Sequence, residues 1–457
     1  MTEYGAGALG LKISERFAAF LANITFEMLP EDVIHAARRG VLDYLGCAIA
    51  GSSHPTTTIL IDALGAASHD RRCRILGRET RSGLLEAPIA NGLMGHVLDF
   101  DDTHMGGVVL HASSPTLAAL LGLSDLHPIS GKDLITAYVA GFEAGVRIGH
   151  ASPQHHDGGW HLTGTLGTLA AGAASARLLK VSPRKMEYAL GVSATQAAGM
   201  QQNRGTMSKS LHAGKAASNG LLAALLAQKG FTSSTEIIEG KKGFSRIYSR
   251  VSEPEAVLTD LGERWEITRN GHKPYACGVV LHPLIDGVIA LAPKIRDAGE
   301  ILSIEAVVNP KMVAITGIKE PLTGLESKFS LFHSAAVALL DRTAGIAQYS
   351  DERAAAADVV MLRKRVTAVT DESIAADQAR LTIRTKQGLE TVFVEHATGT
   401  HLNPMSDEAL VRKFEENVGK FLPPEIRREL IKTIFALETV QDVAKQITAL
   451  SCLPGSN

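Results

Sequence analysis

A chain of 457 residues is longer than one hydrophobic core ordinarily supports, and 45% hydrophobic against 21% charged residues excludes a disordered polymer and implies two or three folded units. A formal net charge of -2 excludes a global basic field for nucleic acid or an anionic membrane, so anion recognition is local and the expected partner is a small molecule. The 43 glycines beside only 5% aromatic residues predict a tightly packed interior of small side chains.

In chain order, the Met1 to Gly5 segment has no basic stretch leading into an apolar run. Later apolar segments are interrupted by His, Pro or charge within membrane-spanning length, so neither export nor a transmembrane helix is expected and the cytoplasm is the expected location. From Leu11 to about Gly262 apolar residues recur at helical spacing. Pro30 and Gly51 bracket one helix, and Ser114-Pro115 and Ser182-Pro183 read as helix starts, because serine caps free amides and proline suits the first turn. Gly141 and Gly145 share a helix face, and residues 164–176 are almost all small, a pattern that permits close helix approach and otherwise costs stability. Near Arg264 the character changes. Residues 264–268 and 304–309 read as extended, and 380–385 with 389–394 alternate as a hairpin about Gly388. Residues 282–291 and 328–340 read as helices, as do 406–414 and 423–450. The expected fold is mainly α: a large all-helical domain over 1–264, completed by 401–457, with a smaller α+β lid domain over 265–400.

The chemistry concentrates in Asp99, Asp101, Asp102, Thr103, His104 and His111, set between apolar stretches. Ionised carboxylates are rarely buried without partners, so this run is either a solvated corner or part of a polar cleft. Three further segments, 158–161, 205–212 and 272–277, place titratable side chains beside glycine, proline or small residues, where backbone approaches a ligand closely. His111 precedes a helix start whose free amides and dipole favour a substrate carboxylate; otherwise it caps or lies on the surface. Lys209 stands near another helix start with His212 and Lys215, and a desolvated lysine near a second cation acts as a base, whereas a solvated one does nothing. Pro274 holds Lys273 extended, which aims its side chain inward, while Cys277 reads as a small buried residue as readily as a thiol. Cys47, Cys73, Cys277 and Cys452 show no metal-ligand spacing, which argues against a zinc module. The glycine-rich, P-loop, nucleophile-elbow and zincin motifs are absent, which removes the usual nucleotide and hydrolase readings. A magnesium-dependent terpene synthase would need a second acidic helix motif and more aromatics. No metal and no cofactor are expected.

Taken in order, His96 to Thr103, His111, Gly159 to His161, Gly205 to His212 and Lys273 to Cys277 resemble the MmgE/PrpD family over nearly the whole chain. The resemblance implies cofactor-free chemistry at a carbon next to a carboxylate, a large helical domain with a smaller α+β lid, and a homodimer. Carried over residue by residue, it implies Asp99, Thr103, His111, His161, Lys209 and Lys273 as the catalytic set, with His104, His212, Tyr275 and Cys277 contacting substrate. In the branches that dehydrate 2-methylcitrate or decarboxylate cis-aconitate, a histidine follows the second lysine; here that segment ends at Cys277 and the next histidine is His282. Residues 311–330 also lack the tyrosine of the decarboxylase branch.

Lysines and histidines neutralise carboxylates, and cations aimed at a carboxylate stabilise the enolate-like charge left when its α-proton is removed. The expectation is a cofactor-independent epimerase of an imino- or amino-linked dicarboxylic acid such as iminodisuccinate. The alternatives are a lyase dehydrating a 2-methylcitrate-like hydroxy polycarboxylate, and a non-catalytic helical scaffold that holds a polycarboxylate.

Overall fold

Helical punctuation in the sequence becomes nine consecutive long helices in the computed structural model, which describes residues 12–67 and 69–452. They are α1 (Ile13–Asn23), α2 (Glu31–Gly51), α3 (Pro55–Ala67), α4 (Glu86–Val97), α5 (Ser113–Ser124), α6 (Gly131–His150), α7 (Leu162–Leu178), α8 (Pro183–Thr195) and α9 (Met207–Gln228). The Met1 to Gly5 segment and Leu11 lie outside the described residues. Among those described, no helix is long and apolar enough to cross a membrane.

Local signals explain most boundaries. Pro30 stands at the N-cap of α2, with Glu31 and Asp32 complementing the dipole in its first turn. Ser182 caps α8 by accepting from Lys185 N, with Pro183 in the first turn. The Ser114-Pro115 start needs correction: α5 begins at Ser113 with no side-chain cap. Its serine hydroxyls are engaged elsewhere, Ser113 Oγ donating to Asp102 and Ser114 Oγ to Asp101 at 2.8 Å.

Every residue of α5 is buried, and α7 is buried over nearly its whole length, packed among α5, α6, α8 and α9. Glycine makes the approach of α4 to α9 possible: a Cβ on Gly214 would stand 2.2 Å from Ile89 O, and one on Gly92 would stand 2.9 Å from Ala213 O. This contact matters functionally, because α4 runs into the acidic loop and α9 opens with Lys209.

Two short ladders precede the main sheet, β1 (Cys73–Arg74) with β2 (Arg81–Ser82), and β3 (Thr103–His104) with β4 (Asn270–Gly271), both antiparallel. The main sheet has the order β6-β5-β7-β8, from β5 (Ile301–Val308), β6 (Val366–Thr370), β7 (Ala379–Thr385) and β8 (Leu389–Val394). Strands β5 and β6 are parallel and the other pairs antiparallel. Ala379, Leu381 and Ile383 alternate inward on β7, where the helix His282–Leu291 covers the sheet and packs on the helix Leu331–Asp341. The chain is thus mainly α, with a smaller α+β part.

Two expectations give way to tertiary bonding. Residues 264–268 are not extended: a 3-10 turn spans Glu266–Arg269, because Glu266 is buried, donates its N–H to Glu143 Oε1 at 2.6 Å and receives Arg264 at 3.0 Å. The helix expected over 423–450 stops at Phe435, since Val440 O accepts from Gly131 N and Val443 N donates to Ile129 O, tying that segment to the start of α6.

Candidate active site

The site is built where α4 stops. Asp99 takes a φ of 51°, a left-handed conformation uncommon outside glycine. Three consecutive carbonyls at this turn are each held by a different buried lysine from far along the chain. Lys328 Nζ donates to Leu98 O at 2.7 Å, Lys273 Nζ to Asp99 O at 3.0 Å, and Lys413 Nζ to Phe100 O at 2.7 Å. Such surrounding bonds keep a disfavoured backbone geometry in place.

The Asp99 carboxylate spans two ammonium groups, Oδ1 accepting from Lys273 at 2.5 Å and Oδ2 from Lys209 at 3.0 Å. Burial opposes its charge, yet Lys209 and Lys273 hold the carboxyl well below the usual carboxylate range. Lys209, in the first turn of α9, is pushed down by burial despite Asp99. For Lys273 burial is outweighed by Asp99 and Asp101, and its pKa rises. Lys273 also donates to Cys277 O at 3.0 Å, so its three hydrogens are all committed inside the protein.

Around this ion triad stand imidazoles. His111 Nδ1 lies 2.9 Å from Asp102 O and 3.0 Å from Thr103 Oγ1; a carbonyl only accepts, so Nδ1 carries the proton and Nε2 the lone pair. Burial pushes His111 down to about 3. His161, the residue before α7, meets His212 of α9 with Nδ1 atoms 2.9 Å apart, one donating to the other. Burial holds His161 well below the usual imidazole range and brings His212 down to about 4. The His96 ring joins the two groups, 4.7 Å from the His111 ring and 5.4 Å from that of His161. Neutral imidazoles thus sit beside ammonium groups, a composition that both accepts a proton and binds an anion.

A tight pocket of about 10 Å³ adjoins these groups, lined by His96, Asp99, Gly205, Thr206, Lys209, Lys328 and Phe329 among others. Lys328 donates a second hydrogen bond to Ala276 O at 2.7 Å and lies 5.0 Å from the Tyr349 ring centre; burial pushes its pKa down to about 8.

The structure therefore brings together Asp99, Thr103, His111, His161, Lys209, Lys273 and His212. Cys277 joins through its carbonyl, while burial pushes its thiol up to about 12. His104 turns the other way: Nδ1 donates to Val108 O at 2.8 Å, Nε2 lies 3.3 Å from the Glu266 carboxylate, and the ring packs against Phe142 and His150. Tyr275 donates its hydroxyl to Asp286 Oδ1 at 2.5 Å. Sequence reasoning did not single out Lys328 or His96 as site residues. For His96 the signal was a histidine inside an otherwise apolar helix, three residues before Asp99; for Lys328 it was a lysine just before an apolar helix, which alone reads as solvated.

Among the described residues, His96, Asp101 and His111 offer one ligand atom each within 4.8 Å of one another. Asp101 lies 2.9 Å from His96 Nδ1 and accepts from Ser114 Oγ at 2.8 Å.

Within a mainly helical fold, the buried lysines, histidines and carboxylate beside a pocket have the composition of an enzyme active site. The MmgE/PrpD N-terminal domain matches residues 15–256 and the MmgE/PrpD C-terminal domain matches residues 275–438, and the chain belongs to the MmgE/PrpD family. It is 27% identical to the cis-aconitate decarboxylase of Aspergillus terreus (strain NIH 2624 / FGSC A1156), over 96% of each chain. It is 26% identical to the Mus musculus cis-aconitate decarboxylase, over 94% of this chain and 91% of that one. For the Homo sapiens cis-aconitate decarboxylase the identity is 25%, over 96% and 94%.

Proposed function

We propose that this enzyme takes a proton from a carbon next to a carboxylate of a di- or tricarboxylic acid, without a cofactor, and that its reaction is epimerisation of an imino- or amino-linked dicarboxylic acid such as iminodisuccinate. The observation that carries this reading is the Asp99 carboxylate clamped between Lys209 and Lys273 beside neutral imidazoles. Hydrogen-bond capacity divides the roles. Lys273 is saturated and fixes Asp99, whereas Lys209 has spent one of its three hydrogens and Lys328 two, so these two meet substrate carboxylates in the cavity. Removing the α-proton moves its electron pair into the carboxylate, where a fixed ammonium group lowers the barrier. Return of a proton to the opposite face inverts the centre; residues 265–400 act as the lid that brings Lys273 and Lys328 to the helical part.

A second reading is a lyase, in which the same carbanion expels a β-substituent or is formed by loss of carbon dioxide. It is favoured by the decarboxylase names of the relatives. The histidine that follows the second lysine in that branch is absent here before His282, and burial pushes the Cys277 thiol of this segment up to about 12, a poor proton donor or acceptor near neutrality, which speaks against decarboxylation. Incubation in D2O separates the two. Deuterium entering iminodisuccinate with epimerisation, and no carbon dioxide from cis-aconitate, is expected; carbon dioxide release without exchange would replace epimerisation by the lyase.

A further inference from the structure

We propose that His96 and Asp101 form a catalytic dyad, with His96 Nε2 as the base that takes the substrate proton. This rests on the carbon-acid reading above and assigns its base to a residue outside the set that the resemblance implied. The geometry has three parts. First, His96 Nδ1 lies 2.9 Å and 3.1 Å from the two oxygens of Asp101, and neither ring nor carboxylate is exposed. A carboxylate only accepts, so Nδ1 carries the proton and Nε2 the lone pair. Second, Asp101 is itself fixed: Ser114 Oγ donates to it at 2.8 Å and His111 Nδ1 lies 3.5 Å away. Third, Nε2 is buried without a hydrogen-bond partner, and His96 lines the cavity that Lys209 and Lys328 also line. A buried imidazole nitrogen with a free lone pair, backed by a carboxylate and opening on a cation-lined cavity, is the arrangement in which a histidine gains a proton and its partner stabilises the imidazolium.

The step balances. The Cα–H bond breaks, its hydrogen passes to Nε2 as a proton, and its electron pair enters the carboxylate π system held by the ammonium groups. A second group returns a proton to the other face, and solvent exchange resets both. Besides Asp101, the charged and titratable groups facing His96 are Asp99, Lys209 and the rings of His111 and His161, and burial lowers its pKa while Asp101 opposes that shift. Removing the Asp101 charge therefore moves the acid limb of activity to lower pH.

The test compares His96→Gln and Asp101→Asn with the unaltered chain, using deuterium exchange into iminodisuccinate, binding of tricarballylate by calorimetry, and thermal melting. The dyad predicts that His96→Gln loses at least about a hundredfold in exchange while tricarballylate binds within about threefold. It also predicts that Asp101→Asn shifts the acid limb downward. Exchange retained within threefold in His96→Gln, or an unmoved limb in Asp101→Asn, overturns it. Histidine-selective 15N NMR of the unaltered chain decides independently of substrate and of variant folding. The Nδ1–H tautomer is expected for His96, and the Nε2–H tautomer would overturn the dyad. A chain that gives the Nδ1–H tautomer yet exchanges neither iminodisuccinate nor cis-aconitate would instead refute the substrate reading and with it the base role.

Discussion

Asp99 holds the largest concentration of consequence in one side chain, because its charge faces Lys209 and Lys273 and its carbonyl also receives Lys273. Asp99→Asn removes the one carboxylate that both buried ammonium groups contact, leaving only the more distant Asp101 to offset them, and breaking such a buried pair typically costs about 3 kcal/mol or more. We therefore expect a lowered melting temperature as well as lost turnover. Lys209→Met differs, since Asp99 keeps Lys273: turnover should fall at least about a hundredfold with a smaller loss of stability, as read from kcat/KM and a urea melt. Equal losses would make Lys209 structural. Lys328→Met strands two carbonyls, Leu98 O and Ala276 O, at about 1–3 kcal/mol for each buried acceptor, and weakens polycarboxylate binding more than Lys328→Arg does. The residue-level reading succeeded where several chemistry-bearing residues were adjacent, as in 99–104. It failed for Lys328 because nothing local tells a lysine that will meet two carbonyls from one that stays in water. His104 shows the reverse: neighbouring Thr103 faces His111, while the alternation of β3 sends His104 to Glu266.

At the scale of elements, the site depends on how closely α4 and α9 approach, since one supplies His96 and leads into Asp99 and the other supplies Lys209 and His212. Gly214→Ala puts a methyl group 2.2 Å from Ile89 O and must push the helices apart. The expected result is about 1–3 kcal/mol of destabilisation in denaturant unfolding, with loss of activity in the protein that still folds. Full activity at unchanged stability would show that helix spacing does not set the site. The element boundaries that were legible depend on local rules: Pro30 stands extended at the N-cap position of α2, and the Ser182 hydroxyl accepts from Lys185 N. Ser114 was misread because Asp101, distant in purpose though near in sequence, takes its hydroxyl; the 264–268 segment was misread because Glu143 and Arg264 fix Glu266. The sheet hairpin about Gly388 was legible because alternation and turn agree, with Gly388 at a φ of 154°.

Over the whole molecule, burial leaves many histidines neutral in the folded state. His111, His155 and His282 are pushed down to about 3 and His212 and His333 to about 4, chiefly by burial. Unfolded, each takes up a proton near pH 6.5, so between that pH and about 3 to 4 the unfolded chain binds more protons than the folded one. Their stabilising effect is complete above about pH 6.5 and lost as pH falls, so the urea midpoint should drop between pH 7 and pH 5. A midpoint constant over that interval would mean the imidazoles are charged in the native protein. The mainly α fold was legible from periodicity, but the gathering of Asp99, His161, Lys209, Lys273 and Lys328 into one buried cluster was not, because sequence spacing carries no information on long-range packing.

A structure of the enzyme with tricarballylate bound tests the central claim most directly. The account predicts carboxylate oxygens within hydrogen-bond distance of Lys209 and Lys328, with the tight pocket beside His96 and Phe329 opened to admit the ligand. Tricarballylate seated instead in the open groove by Trp160 and Met200, with the Lys209 and Lys328 ammonium groups untouched at saturation, would contradict it.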